Sequence, residues 1–131
     1  MPFSNWGPEE TWCTEGSSQL PSSDTYCGTA PFSEPETASM SNWINTLNDL
    51  RGAVDFHTYG PLILHPFQYS YDQAPEPYNG LVTSIGLEME QAIRGVHGYP
   101  FESMQGCDLY THSGVMSFFV FILSNMSLCR A

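Results

Sequence analysis

The feature that constrains the fold most is an alternation of short apolar runs with longer stretches of helical spacing, separated by proline and glycine. Two strand-like runs, residues 53–57 and 62–64, lie between two stretches in which apolar residues recur every three or four positions. This order is typical of an α/β layer arrangement, in which helices cover a sheet. Two or three strands make a thin sheet with an unpaired edge, and such an edge tends to recruit another strand.

The first helix is predicted from a start signal at residues 33–36. Ser33 can cap the helix, Glu36 completes a capping box, and Pro35 lies in the first turn. Gly52 supplies the predicted stop. Glu34 and Glu36 are explained by this helix start, so we interpret them as structural and not as a catalytic carboxylate pair. One apolar stripe follows at Met40, Trp43, Ile44, Leu47 and Leu50.

The whole chain, residues 1–131, is predicted to form a single domain, because either half would be too small to bury a useful core. Residues 1–32 are interpreted as an extended, loop-rich segment within it. A second helix follows from the spacing after residue 81 and ends near Gly95 or Gly98. In the tail, residues 99–131, helix and strand are not separable by pattern. Its apolar run is far shorter than the roughly 20 residues of a membrane span.

Lysine is absent and arginine numbers 3, against 14 acidic residues, which gives a formal net charge of −11. Nucleic acid and anionic membranes are therefore poor partners, and a basic protein surface or plain solubility fits better. Four cysteines without C-x-x-C spacing argue against a zinc finger; two disulfides in any of three pairings, or free thiols, remain open. No secretory signal is visible at the N-terminus, and the compartment stays unknown.

Three motifs in order carry a resemblance. S-D-T-Y-C-G at residues 23–28 with P-F-S-E-P-E-T at 31–37, V-D-F-H-T-Y-G at 54–60 with L-I-L-H-P at 62–66, and L-Y-T-H-S-G at 109–114 resemble the middle portion of the catalytic domain of zinc metallocarboxypeptidases of the carboxypeptidase A/B-like, M14-type. The resemblance implies a partial metallocarboxypeptidase-like mixed sheet with flanking helices, incomplete relative to the family domain. Members of this family are often secreted or lumenal.

The resemblance also assigns site positions. His57 takes the place of the family's third zinc ligand, and Tyr110 that of the tyrosine that closes over the substrate. Tyr59 takes a position that lines the substrate pocket. Without the resemblance, His57 would be interpreted as a hydrogen-bonded core histidine, Tyr59 as a packing aromatic residue and Tyr110 as a partly exposed loop residue.

The departures from the family pattern bear on activity. No H-x-x-E motif is present to supply the other two zinc ligands, and the chain ends before the strand that carries the family's catalytic glutamate. Phe3 and Ser4 stand where the family has the asparagine and arginine that grip the substrate carboxylate. Ser22 replaces a family cysteine, so its disulfide is not carried over. Residues 118–119 also differ from the aspartate and aromatic residue usual there.

We therefore expect a pseudoenzyme, a truncated carboxypeptidase-like fragment that begins at its own start codon, is inactive as this chain and serves as a structural or interaction subunit with other protein chains. No metal is expected in this chain, with His57 a vestigial ligand position. The alternative is part of a zinc-dependent carboxypeptidase that removes C-terminal residues from peptides, with zinc and the missing catalytic segments supplied elsewhere. A peptide-binding module that retains the old cleft is a third, weaker hypothesis, because the carboxylate-gripping arginine is missing.

Overall fold

The computed structural model describes residues 5–6, 9, 12–57 and 60–113. The chain divides into two compact units, which are described separately below. The first unit comprises Met1–Asp55 and His112–Ala131, and the second comprises Phe56–Thr111. The interpretation of the chain as one domain stays a prediction. No helix in the described ranges has the length and apolar character needed to cross a bilayer.

In the first unit, the helix α1 spans Pro35–Ile44 and begins differently from the prediction. Pro35 lies in the first turn as expected, but the N-cap is Glu34 and no side chain of the cap residue bonds the helix. The predicted capping box at Ser33 is therefore wrong. The Ser33 hydroxyl accepts a hydrogen bond from Asn5 Nδ2 at 3.1 Å and donates one to Glu34 Oε1 at 2.9 Å. At the start of the helix, the Glu34 N–H donates to Asn5 Oδ1.

Helix α1 also ends earlier than predicted, with Asn45 as its C-cap, so Gly52 is not the stop. The Thr46 hydroxyl donates to the Trp43 carbonyl oxygen at 2.6 Å, and the Thr46 N–H bonds the same oxygen. Such local bonds compete with helix continuation. The stripe is split accordingly: Ile44 is buried, whereas Trp43 is 58% exposed.

The core of the first unit is small. Buried Trp6 and Ile44 form its centre, and Phe32, Met40 and Leu50 pack against them half-buried. The rings of Trp6 and Phe32 meet edge to face with centroids 5.6 Å apart. A core of this size buries little apolar surface, so the first unit depends on other interactions as well.

The second unit contains β1 (Leu62–His65), α2 (Tyr78–His97), β2 (Glu102–Gln105) and the single-turn α3 (Gly106–Leu109). The described residues form one sheet, in which β1 and β2 pair in parallel from Leu62 opposite Glu102 to His65 opposite Gln105. Helix α2 is the crossover that a parallel pair requires. It ends at Gly98, which adopts a left-handed conformation at φ 69°, so the prediction of a stop there is confirmed.

Helix α2 packs on one face of this sheet. Opposite residues of a parallel pair share a face, so Ile63, His65, Ser103 and Gln105 lie on the same side. A Cβ atom added at Gly86 of α2 would meet the Ser103 hydroxyl and the edge of the His65 ring. A glycine is therefore needed for this close approach of helix and sheet.

The run at residues 53–57, predicted as a strand, forms no strand in the described part of the chain. A strand requires a hydrogen-bonded neighbour, and the ladder of the described residues joins only β1 and β2. Phe56 is 91% exposed and Val54 57% exposed. The apolar residues that motivated the strand prediction thus lack the burial that a sheet would give them.

Candidate zinc and substrate positions

Asn5 of the first unit is fully buried and forms hydrogen bonds through both polar atoms of its amide. Its Nδ2 donates to the Cys27 carbonyl oxygen at 2.6 Å and to the Ala30 carbonyl oxygen at 3.0 Å. Its Oδ1 accepts from the Glu34 N–H at 3.1 Å and from the Thr37 hydroxyl. One side chain thus joins the start of α1 to the loop that precedes it.

A disulfide between Cys13 and Cys27 closes that loop, with the Cα atoms 5.5 Å apart. This disulfide occurs in one of the three pairing schemes that the sequence left open. Cys107, in the second unit, is a buried free thiol, and Cys129 lies outside the described residues. Burial raises the pKa of Cys107, and the negative charge of Asp108 raises it further, so this thiol is not poised as a nucleophile.

Cys27 is held by its backbone carbonyl group as well as by the disulfide. The Cys27 carbonyl accepts the Trp12 indole N–H at 2.8 Å in addition to the Asn5 amide. Gly28 follows at φ 82°, and a Cβ there would meet Asn5 Nδ2 and the Ser33 hydroxyl. Glycine at position 28 is therefore required both by its backbone conformation and by the space around it.

The three positions that the resemblance singled out differ in how far the structure describes them. His57 is exposed at the end of the stretch 53–57, so the interpretation as a core histidine is wrong. Tyr110 directly follows α3, has an extended backbone and is 56% exposed, as expected of a loop tyrosine. Tyr59, and the positions of Phe3 and Ser4, lie outside the described residues.

The other histidines show different environments. His65 is half-buried on β1, with Nδ1 3.3 Å from the Pro66 carbonyl oxygen. His112 is buried, and loss of hydration lowers its pKa. For His97 only the backbone is described, within α2.

The residues that the structure describes do not fit a catalytic zinc ion. Such an ion takes three protein ligands and keeps one position for water. Within residues 5–6, 9, 12–57 and 60–113, no group of three or more His, Cys, Asp or Glu side chains could hold a metal. His57 therefore has no accompanying donor set in the described chain, whatever its role when other segments are added.

Ser113 makes a contact that the sequence did not reveal. It is 1% exposed, its N–H donates to the Glu15 carbonyl oxygen at 3.0 Å, and its hydroxyl lies 3.2 Å from the same oxygen. The Ser17 and Ser113 hydroxyls are 2.8 Å apart. The partners are separated by 98 positions along the chain, which no local pattern can connect. Its only signal was membership in the motif at residues 109–114.

The sequence matches a family model described as zinc carboxypeptidase over residues 3–128. The chain belongs to the zinc carboxypeptidase family. Mouse carboxypeptidase A6 is 35% identical over 112 residues, which cover 84% of this chain and 25% of the relative. Rat carboxypeptidase B is 39% identical over 82 residues, which cover 60% of this chain and 20% of the relative. The chain thus spans about a quarter of the length of the curated carboxypeptidases it matches.

Solved structures of carboxypeptidase folds agree with the α/β architecture. Bovine thrombin-activatable fibrinolysis inhibitor, in complex with tick carboxypeptidase inhibitor, superimposes with a TM-score of 0.80 and 24% identity. The match covers 92% of this chain and 40% of that one. The predicted fold class, a partial carboxypeptidase-like α/β domain, is confirmed, as is the family.

Proposed function

We propose that this chain is a carboxypeptidase-like fragment that does not cleave peptides by itself and acts as a structural or interaction subunit completed by other polypeptide. The observation that carries the proposal is the donor count. Zinc-dependent peptide hydrolysis needs three ligands, a general base and a grip on the substrate. The sequence contains no H-x-x-E motif, and the described residues offer no group of three metal donors.

The need for completion is supported by the environment of residues 53–57. Parallel sheets are almost always covered on both faces and continue through several strands. Here the described sheet has two strands, and the stretch that resembles a further strand leaves Val54 and Phe56 exposed. Burial of one such aromatic side chain contributes about 2 kcal/mol, so a strand that paired with this stretch would gain substantially.

Charge limits the kind of completing surface. The chain has 14 acidic residues, 3 arginines and no lysine. A neutral or basic polypeptide would associate without like-charge repulsion, and the association rate of a basic one would fall as salt rises. A strongly acidic partner is disfavoured for the same reason.

The proposal is tested with purified chain, one equivalent of zinc and a set of peptides that end in aliphatic, aromatic or basic residues. Mass spectrometry of the peptides is expected to show no loss of C-terminal residues above a zinc-only blank. Metal analysis after dialysis is expected to show less than stoichiometric zinc. Removal of terminal residues that disappears in a His57→Ala variant, but persists in a His65→Ala control, would refute the proposal.

A second candidate function is zinc carboxypeptidase activity in a completed domain, which the family match over residues 3–128 favours. In that case His57 would serve as one zinc ligand and Tyr110 would contact the substrate. The test is reconstitution with separate polypeptides that carry the H-x-x-E motif, the carboxylate grip and the catalytic glutamate. Activity that requires His57 and not His65 would establish this function. Complex formation without activity would leave the subunit role.

A further inference from the structure

We propose that Ser113 is a positioning residue that holds the chain after Tyr110 to the loop closed by the Cys13–Cys27 disulfide. The inference rests on the second candidate function, in which Tyr110 contacts substrate in a completed domain. Three hydrogen-bond contacts carry it: the Ser113 N–H to the Glu15 carbonyl oxygen at 3.0 Å, the Ser113 hydroxyl to the same oxygen at 3.2 Å, and the Ser113 hydroxyl to that of Ser17 at 2.8 Å.

The receiving loop is held firmly, so it can act as an anchor. The disulfide joins its two ends. Inside it, the Ser18 N–H donates to the Thr25 carbonyl oxygen at 2.9 Å, and the Cys27 N–H donates to that of Ser18 at 3.0 Å. Cross-linking and these paired backbone bonds reduce the freedom of residues 15–17, which contact Ser113.

The anchored segment is buried on one side and exposed on the other. Ser113 and His112 are 1% and 8% exposed, whereas Tyr110 is 56% exposed. Three residues of chain span at most about 11 Å, so fixing Ser113 restricts the space in which Tyr110 can move. A substrate-contacting tyrosine benefits from such restriction, since less conformational freedom is lost when the substrate binds.

The contact with the loop also explains why a serine side chain can be buried at position 113. A buried hydroxyl requires a hydrogen-bond partner, and the Glu15 carbonyl and the Ser17 hydroxyl provide two. An alanine at position 113 would keep the backbone bond and remove both side-chain contacts. The segment would then open more often without loss of the disulfide.

The test measures cleavage of the full chain by chymotrypsin, which cuts after aromatic residues when a segment opens. Rates after Tyr110 are compared with those after Tyr71, an exposed site of the second unit, and after Tyr26, inside the anchor loop. Ser113→Ala is expected to raise cleavage after Tyr110 about tenfold relative to both references, which corresponds to about 1.4 kcal/mol of lost hydrogen bonding. Ser23→Ala, which removes a loop hydroxyl that contacts Thr25 and not Ser113, is the matched control and is expected to change none of the ratios.

The link to the disulfide is tested by a Cys13→Ala/Cys27→Ala variant with and without Ser113→Ala. If Ser113 acts through the anchor loop, the two changes are not additive, and the serine change adds less than twofold once the bridge is gone. Full additivity, or a Ser113→Ala ratio within twofold of the parent, would overturn the inference. A parallel rise after Tyr26 would also overturn it, because that result shows general opening of the first unit. None of these readouts needs zinc or activity, so the inference and the proposed function can fail separately.

Discussion

The first and second units are each stabilised internally by a different kind of interaction. The first unit has a small apolar core and relies on a buried amide, Asn5, and on a disulfide between Cys13 and Cys27. The second unit relies on a parallel ladder of β1 and β2 with α2 packed closely at Gly86. Removal of a member of a buried hydrogen-bond network leaves a partner unsatisfied, whereas a methyl group added at the helix–sheet contact only requires the Ser103 hydroxyl to move. Substitutions of similar size should therefore cost more in the first unit.

The largest effect is expected from Asn5→Ala. The change removes the five hydrogen bonds of the Asn5 amide, each of which contributes about 1 kcal/mol. It also leaves the Glu34 N–H without its acceptor, whereas the Cys27 and Ala30 carbonyl oxygens keep the Trp12 indole N–H and the Ser33 N–H. A loss of about 3 kcal/mol or more in the free energy of unfolding of the first unit follows. All three tryptophans, Trp6, Trp12 and Trp43, lie in that unit, so their fluorescence in a urea titration reports it.

Asn79→Ala provides the matched control for this prediction. Asn79 is half-buried on α2, and its amide makes one long, solvent-exposed contact of 3.4 Å with the Gln73 side chain. Its removal is expected to change the urea midpoint of the tryptophan signal by less than the experimental scatter. Equal effects of the two substitutions would break the contrast between the units.

An intermediate effect is expected from Gly86→Ala in the second unit. The new Cβ would meet the Ser103 hydroxyl, which is buried and has no hydrogen-bond partner among the described residues. Because that hydroxyl can rotate away, a cost of about 1 kcal/mol is expected. Amide exchange of β1, followed by mass spectrometry, measures it.

Ser103→Ala sharpens the same comparison. Alone it removes a buried hydroxyl and is expected to be neutral or to stabilise the second unit by up to about 1 kcal/mol. Combined with Gly86→Ala it should remove most of the cost of the added methyl group. If both changes destabilise independently, packing at this helix–sheet contact is not limited by the serine hydroxyl.

What the sequence could predict follows from the range of the interactions. The end of α2 at Gly98 and the apolar strand β1 were predictable because glycine chemistry and apolar runs are local signals. The start of α1 was misassigned because Asn5, 29 positions before Glu34, accepts the Glu34 N–H and also bonds the Ser33 hydroxyl that the predicted box needed as a cap. Residues 53–57 have a strand pattern without a strand, since pairing depends on a neighbour that the pattern does not contain.

The candidate site divides in the same way. His57 and Tyr110 were identified by resemblance to the family motifs and not by periodicity, which offers no reason to choose them. Ser113 stayed hidden because its partners Glu15 and Ser17 lie at the opposite end of the sequence. Hydrogen bonds between residues so far apart in the sequence produce no periodic pattern from which they could be predicted.

The smallest expected effect concerns pH and the buried His112 of the first unit. Burial lowers its pKa below the ordinary value of about 6.5, so the folded unit keeps the imidazole neutral while the unfolded chain takes up a proton first. Stability is therefore complete above pH 6.5 and falls as the pH drops below it, until the folded pKa is reached. The range from pH 7.5 to 5.5 spans the ordinary pKa of a histidine side chain. Tryptophan fluorescence in urea should show a lower midpoint at pH 5.5 than at 7.5. His112→Gln should remove that difference and His65→Gln, in the second unit, should not, so a slope that survives His112→Gln would assign the pH dependence to another group of the first unit.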